Sequence, residues 1–340
     1  MKRLLFVLVL VLAAGALFAA TINDFATFQS AVQNFASGTA SALPLDSSVG
    51  LNWSDAYIGQ FLGFPPHFGI GLTIGAATIP YSAIQNTINT FGGTIPSNLS
   101  FLSKIGIPVP AYTIDVRIGG FVLPFDVGLK FGYIPPNAFS AFSNVSVDYL
   151  VVGGDVRYAL VQDKGFLPGV SVGVGYTYMR GNVSIPGVLG TDTTIGSINI
   201  GGTNHTLGFT DPSLNFFWNT NVIDAKIQVS KSLFIITPYV GLGMSYGISN
   251  AGGGMQSSLY VDTPGNAPSQ TQINQINSYY GTNYSSANQV FGVSANANGF
   301  ATRIFGGFSF NVFVLKIGLG AEYEFLSGSF AGMINARIQL

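Results

Sequence analysis

Residues 112–118 read Tyr-Thr-Ile-Asp-Val-Arg-Ile. In an extended chain alternate side chains point to opposite faces, so Tyr112, Ile114, Val116 and Ile118 share one face and Thr113, Asp115 and Arg117 share the other. A sheet that is apolar outside and polar inside would be written this way. The parity recurs in residues 154–160, where Val156, Tyr158 and Leu160 oppose Asp155 and Arg157. It recurs again in residues 223–229, where Ile223, Ala225, Ile227 and Val229 oppose Asp224, Lys226 and Gln228. A cationic side chain on the lipid face of a barrel costs about 2 to 4 kcal/mol near the midplane. The pattern avoids that cost each time.

Composition agrees with a surface that does not face water on all sides. Only 8% of the 340 residues are charged and 48% are hydrophobic, whereas a soluble domain carries about 25% charge. The net charge of -1 offers no footprint for nucleic acid. With no cysteine, disulfides, thiolate zinc sites and a lipidated cysteine are excluded. Lys2 and Arg3 precede an apolar run and then small residues through Ala19 and Ala20, the layout of a cleaved export signal over residues 1–20.

An exported apolar chain that meets lipid must satisfy its backbone groups as helices or as a closed barrel. The best candidate for a spanning helix, the uncharged stretch 232–249, contains Pro238 and three glycines and alternates with period two, so it reads as a strand. With residues 68–79, 127–133, 170–178, 304–314, 317–325 and the C-terminal 334–340, ten strands are expected. The range is 8 to 14 if the longest loops hide further hairpins. The expected fold class is all-β: a closed antiparallel transmembrane β-barrel at 63–340, preceded by a helical plug or periplasmic segment at 21–62. Links at 123–126, 161–168, 230–233 and 311–316 are short, whereas those at 80–111, 134–144, 181–215 and 249–299 are long. That asymmetry matches short periplasmic turns and longer outer loops, with both termini expected in the periplasm.

The signal, the alternating strands and a final strand running to Leu340 resemble Gram-negative outer-membrane β-barrels, although Leu340 stands where an aromatic is common. The stretch from Trp53 through Ala-Tyr-Ile-Gly-Gln-Phe-Leu-Gly-Phe-Pro-Pro-His-Phe-Gly-Ile-Gly at 56–71 and on to Pro124 is similar to divergent relatives of the long-chain fatty-acid transporters. That resemblance implies a fourteen-stranded barrel, an N-terminal hatch in the lumen and a kinked strand opening sideways. The Asn-Pro-Ala motif of that hatch is missing here.

The inward charges expected are Asp115, Asp155, Asp224, Glu322 and Glu324 against Arg117, Lys130, Arg157, Lys226, Arg303 and Arg337. Ten strands enclose a backbone radius of roughly 10 Å, so this balanced set either cross-links the lumen or lines a narrow pore. Pro238, read as mid-strand, is a tolerated kink or a gap in the ladder serving as a lateral exit. Ile22, Phe25, Phe28, Val32 and Phe35 recur at helical spacing up to a stop at Gly38. This helix either plugs the periplasmic mouth or lies under the rim. Only His67 and His205 are available as imidazoles, neither with a nucleophile at a recognised spacing, so no enzyme, metal or cofactor is expected. Tyr260, Tyr279, Tyr280 and Tyr284 in the long loop suit either a recognition surface or a solvated loop. The expected partners are outer-membrane lipid, the barrel assembly machinery and a small hydrophobic ligand such as a fatty acid. The alternative is a non-conducting barrel whose outer loops bind a partner.

Overall fold

The computed structural model describes residues 25–63, 66–79, 106–136, 146–187, 191–211, 213–280 and 286–340. In chain order these form α1 (Phe25–Asp46), β1 (Phe68–Ile79), β2 (Ile107–Gly119), β3 (Phe125–Ile134), β4 (Ser146–Val161), β5 (Gly169–Ile185), β6 (Thr193–Ile200), β7 (Thr203–Phe209), β8 (Ser213–Ser230), β9 (Ile236–Val261), α2 (Gln270–Tyr280), β10 (Asn288–Val312), β11 (Leu315–Glu324) and β12 (Phe330–Gln339). Ten of the strands, all but β6 and β7, close into an antiparallel barrel. The first and last strands make the seam, with Gly69 opposite Gln339 and Ala77 opposite Ala331. The ten expected strands are those of the wall, and the fourteen implied by the resemblance are not formed.

The period-two pattern becomes a wall with two chemistries. Ile70, Leu72, Ile74, Ile114, Leu129, Val156, Leu242 and Ile334 are exposed on the outside, while Arg117, Arg157, Lys226 and Arg337 are buried inside. No helix among the described residues is long and apolar enough to cross a membrane.

Several boundaries differ from the expectation. The residue 232–249 strand begins at Ile236 and continues to Val261, and Phe234 lies in the preceding turn at φ 50°. β10 likewise starts at Asn288, so β9 and β10 run together well past β11, with residues 236–258 paired to 288–310, and β8 keeps pace with β9 as far as Gln256. The extension was hidden because Gly, Ser and Asn lack the alternation that marks a membrane strand. The hairpin β6–β7 in the 181–215 loop pairs with the far end of β9 through Leu207 and Val261, outside the wall.

This hairpin, the end of β9 and α2 share a small core of Ile198, Leu207, Leu259, Val261 and Ile276, with Ile200 and Phe209 packed against it. The 249–299 region is therefore largely an ordered cap. Tyr260 is buried, which corrects its place in a recognition surface; Tyr279 is exposed. The side chain of Tyr280 and all of Tyr284 lie outside the described set.

Candidate functional site: a plugged lumen

Helix α1 does not stop at Gly38. It continues through Pro44 to Asp46, because Ala36, Gly38, Ala40 and Ala42 are small and buried, allowing the helix to lie against the wall. At the closest approach a Cβ on Gly247 of β9 would sit 2.6 Å from Pro44 Cγ; only glycine fits there. Ser47 and Ser48 close the helix by donating their hydroxyls to the carbonyls of Pro44 and Leu45 at 2.7 Å each.

The chain then descends through the barrel. Asp46 accepts the amide of Ala77 at 3.2 Å, near the long-loop end of β1. Twelve residues later Ile58 N–H reaches Asp126 Oδ2 at 3.2 Å, and Phe61 N–H donates to Gly120 O in the β2–β3 turn at 2.9 Å. Residues 42–56 are all buried, so the lumen is filled along this thread. The helix thus occupies the long-loop half, and the expectation of a plug at the short-turn mouth, entered from that side, is corrected. Phe25, Phe28, Val32 and Phe35 belong to α1, but their side chains are not among those described; Ile22 lies outside the described residues.

The plug is held by charge. Arg117 bonds Asp126 at 2.5 Å and Asp155 at 2.6 Å. Arg157 grips both oxygens of Asp126 at 2.9 Å and donates to Asp55 O at 2.7 Å. Lys226 pairs with Asp155 at 3.0 Å and with Asn52 Oδ1 at 2.9 Å. Lys130 donates to the carbonyls of Ser47 and Val49. The plug's Asp55 answers two wall cations, Lys316 at 2.9 Å and Arg337 at 2.7 Å. Glu322 accepts Ser48 Oγ at 2.7 Å, Asn52 Nδ2 at 2.6 Å and Arg303 Nε at 3.0 Å. Trp53 donates Nε1 to Asp115 at 3.0 Å, with the Arg337 guanidinium 4.8 Å from its ring. Between Arg3 and His67 the chain has no basic residue, so the plug brings only acids to a wall rich in bases. Opposite charges desolvated together repay part of their dehydration when they are paired and hydrogen-bonded; most of these atoms are, while Asp46 Oδ2 and Arg117 Nε are buried without a hydrogen bond.

Two expected members stand elsewhere in role. Glu324 accepts the amides of Thr302 at 3.1 Å and of Leu326 and Ser327 at 2.9 and 2.5 Å, so it ties down the β11–β12 turn. Asp224 pairs with Arg303 at 2.7 Å at the edge of the network. Asp55, Asp126, Lys316 and Trp53 were not anticipated. Asp126 and Lys316 lay in stretches read as turns, and the plug has no strand periodicity to mark Asp55 or Trp53.

Pro238 is the third residue of β9, which corrects its mid-strand placement. Its carbonyl accepts Lys231 N–H at 3.1 Å, so its missing donor points to the end of the β8–β9 hairpin. On the other side the register with β10 runs through Gly307, Phe308 and Ser309 without a shift.

Two cavities adjoin this structure. One of about 580 Å³ lies at the long-loop end, walled by Ser37, Ser41 and Pro44 of α1, Phe300 of β10 and Leu326 of the β11–β12 turn. The other, about 750 Å³, is an apolar groove on the outer face over Val156, Val172, Val174, Ile227, Leu242 and Met244. In the cap, His205 Nδ1 lies 2.7 Å from Asp262 Oδ2, and Thr206 N–H donates to Asp262 Oδ1 at 2.9 Å. The His205 hydrogen bond and then the Thr206 amide hold the Asp262 carboxyl below its ordinary range.

An apolar-walled closed barrel with a charged, filled lumen defines a plugged transmembrane β-barrel of the outer-membrane kind. The chain belongs to the Lsa36-like family, whose model matches residues 62–340. No curated protein matches it. Among solved structures it is similar to the Ralstonia pickettii toluene transporter TbuX, at 10% identity over 80% of this chain and 88% of that one, TM-score 0.22. The Pseudomonas putida toluene transporter TodX gives 9%, 80%, 88% and 0.23, and a Pseudomonas aeruginosa FadL homologue 8%, 80%, 90% and 0.22. Overlap this low carries nothing about cargo to this chain.

Proposed function

We propose that the protein is a passive outer-membrane transporter for small hydrophobic molecules such as long-chain fatty acids, closed at rest by its own N-terminal segment. The observation that carries this reading is the 580 Å³ cavity at the long-loop end, one wall of which is the plug helix itself. A ligand seated there touches both the plug and the barrel, so binding and displacement of the plug are linked. Below the cavity the plug is fixed by hydrogen bonds and ion pairs, which water can replace when the segment shifts. A polar solute gains nothing from a lumen whose charges already satisfy one another. A hydrophobic one has the largely apolar outer groove, whose lining also includes Lys226 and Arg303, as a place to join the bilayer.

The absence of cysteine in the native chain allows a direct test. Ser54 Oγ in the plug lies 2.7 Å from Ser309 Oγ in β10, close enough for a disulfide between Ser54→Cys and Ser309→Cys. Uptake of a fluorescent fatty acid into vesicles should be lost in the oxidised protein and regained on reduction. Equal uptake in both states would reject gating by the plug.

A second reading, a non-conducting barrel that presents its outer loops to a partner, is favoured by one separate observation: the cap has a core of its own. Replacing residues 262–287 by a short turn would separate the two, since transport should survive and surface binding should not.

A further inference from the structure

The four short hairpin turns end in large apolar side chains. Phe121, Val122 and Leu123 form the β2–β3 tip, Phe166 and Leu167 the β4–β5 tip, Leu233, Phe234 and Ile235 the β8–β9 tip, and Phe313 and Val314 the β10–β11 tip; all are exposed. Phe166, Phe234 and Phe313 are 102%, 105% and 99% exposed, so nothing among the described residues covers them. Phe234 and Phe313 moreover sit at φ 50° and 54°, a conformation that favours glycine and asparagine and costs a bulky residue strain. Tight turns at an aqueous rim are ordinarily built from Gly, Asn, Asp and Ser.

We propose that this end of the barrel is inserted into the membrane interface, and that the partner of the turn tips is lipid. Two features of the fold favour lipid over a protein partner. First, two of the tips continue the lipid-facing rows without a polar break on that face: Ile114 and Ile118 lead to Phe121, and Phe310 and Val312 lead to Phe313, all exposed, whereas exposed Gln162, Asp163 and Lys164 stand between Leu160 and Phe166. Second, β3, β11 and β12 have 10 residues each, which at about 3.3 Å per residue and about 40° of tilt cover about 25 Å, the height of an apolar barrel band. The shortest strands are consumed by the hydrocarbon, so the turns that join them lie at its boundary. Lys164, exposed in the β4–β5 turn, is placed to reach headgroups while the rings go deeper; Lys231 instead ties the β8–β9 turn to the β4–β5 turn through Asp163 at 2.5 Å and the carbonyls of Gly165 and Leu167. The polar cap and the extended β9–β10 hairpin then stand clear on the opposite side.

The cysteine-free chain permits single nitroxide labels at Phe166→Cys and Phe313→Cys, with Gln275→Cys on α2 as the aqueous control, refolded in dioleoylphosphatidylcholine vesicles. Collision with oxygen, which partitions into lipid, should exceed collision with a water-soluble nickel chelate several-fold at both tips, with the reverse at residue 275. Nickel accessibility at the tips equal to that at residue 275 would overturn the proposal. So would protection from both reagents that disappears when protein is diluted at constant lipid, because that would assign the ring to a second copy of the chain. Hydroxyl-radical oxidation of the unaltered protein reads the same question without substitution. Phe166, Phe234 and Phe313 should be oxidised several-fold more slowly in vesicles than Tyr279, itself 67% exposed, after correction for ring reactivity; equal rates would reject insertion.

Discussion

At Asp126 one carboxylate accepts three hydrogen bonds from two guanidinium groups and a fourth from the backbone of Ile58. It joins β2, β3, β4 and the plug at one point. Asp126→Leu leaves Arg117 and Arg157 in a dry lumen with part of their neutralising charge removed, and breaking a buried pair costs about 3 to 5 kcal/mol. The urea midpoint of the detergent-solubilised protein should fall accordingly. A different residue-scale test lies in the cap. The Asp262 carboxyl is held below its ordinary range by His205 and Thr206, so the stabilisation it gives is present above the ordinary carboxylate pKa of about 3.9 and is lost as pH falls through the lower folded value. Protection of the Thr206 amide, followed by hydrogen exchange, should therefore persist through that range and fail only below it. At this scale the parity of residues 112–118, 154–160 and 223–229 was enough to turn Arg117, Arg157 and Lys226 inward. Asp126 escaped because it is the second residue of β3, next to a Pro-containing turn, where too few neighbours alternate to define a face.

Helix α1 shows how an element departs from its local signals. Gly38 is a conventional terminator, and Pro44 removes a donor, yet the helix passes both. What decides is the width of the space: Ala36, Gly38, Ala40 and Ala42 are small and buried around the helix and Pro44 meets Gly247 on the wall, and packing outweighs propensities of about 1 kcal/mol at glycine. Gly247→Val would place a branched side chain where Pro44 now sits, moving the helix off β9 and loosening the plug without touching an ion pair. Planar-bilayer recordings should then show openings that the native protein lacks, while the heat-induced gel shift of the folded barrel is retained. The wall strands were legible because lipid enforces alternation over their whole apolar band. The far ends of β9 and β10 were not, since Gly, Ser and Asn there carry no apolar alternation and the sequence answers to neither hydrocarbon nor a large core.

For the whole molecule, the number of strands and the side on which the long loops lie follow from periodicity and spacing. The path of residues 25–63 does not. A plug leaves no repeat in the sequence; its partners, such as Asp55 with Lys316 and Arg337 or Asn52 with Glu322, are more than 250 residues away along the chain. Local reading sees an acid beside a tryptophan, and only closure of the cylinder brings the bases to it. That closure joins Phe68–Ile79 to Phe330–Gln339. Because α1 lies toward the loop-bearing end while its connection leaves through the opposite mouth, threading a finished cylinder would mean drawing a helix lengthwise through it. The order of assembly is thereby restricted: the amino-terminal segment must already be lying across the open sheet when the two edges meet, like a cork around which the bottle is blown.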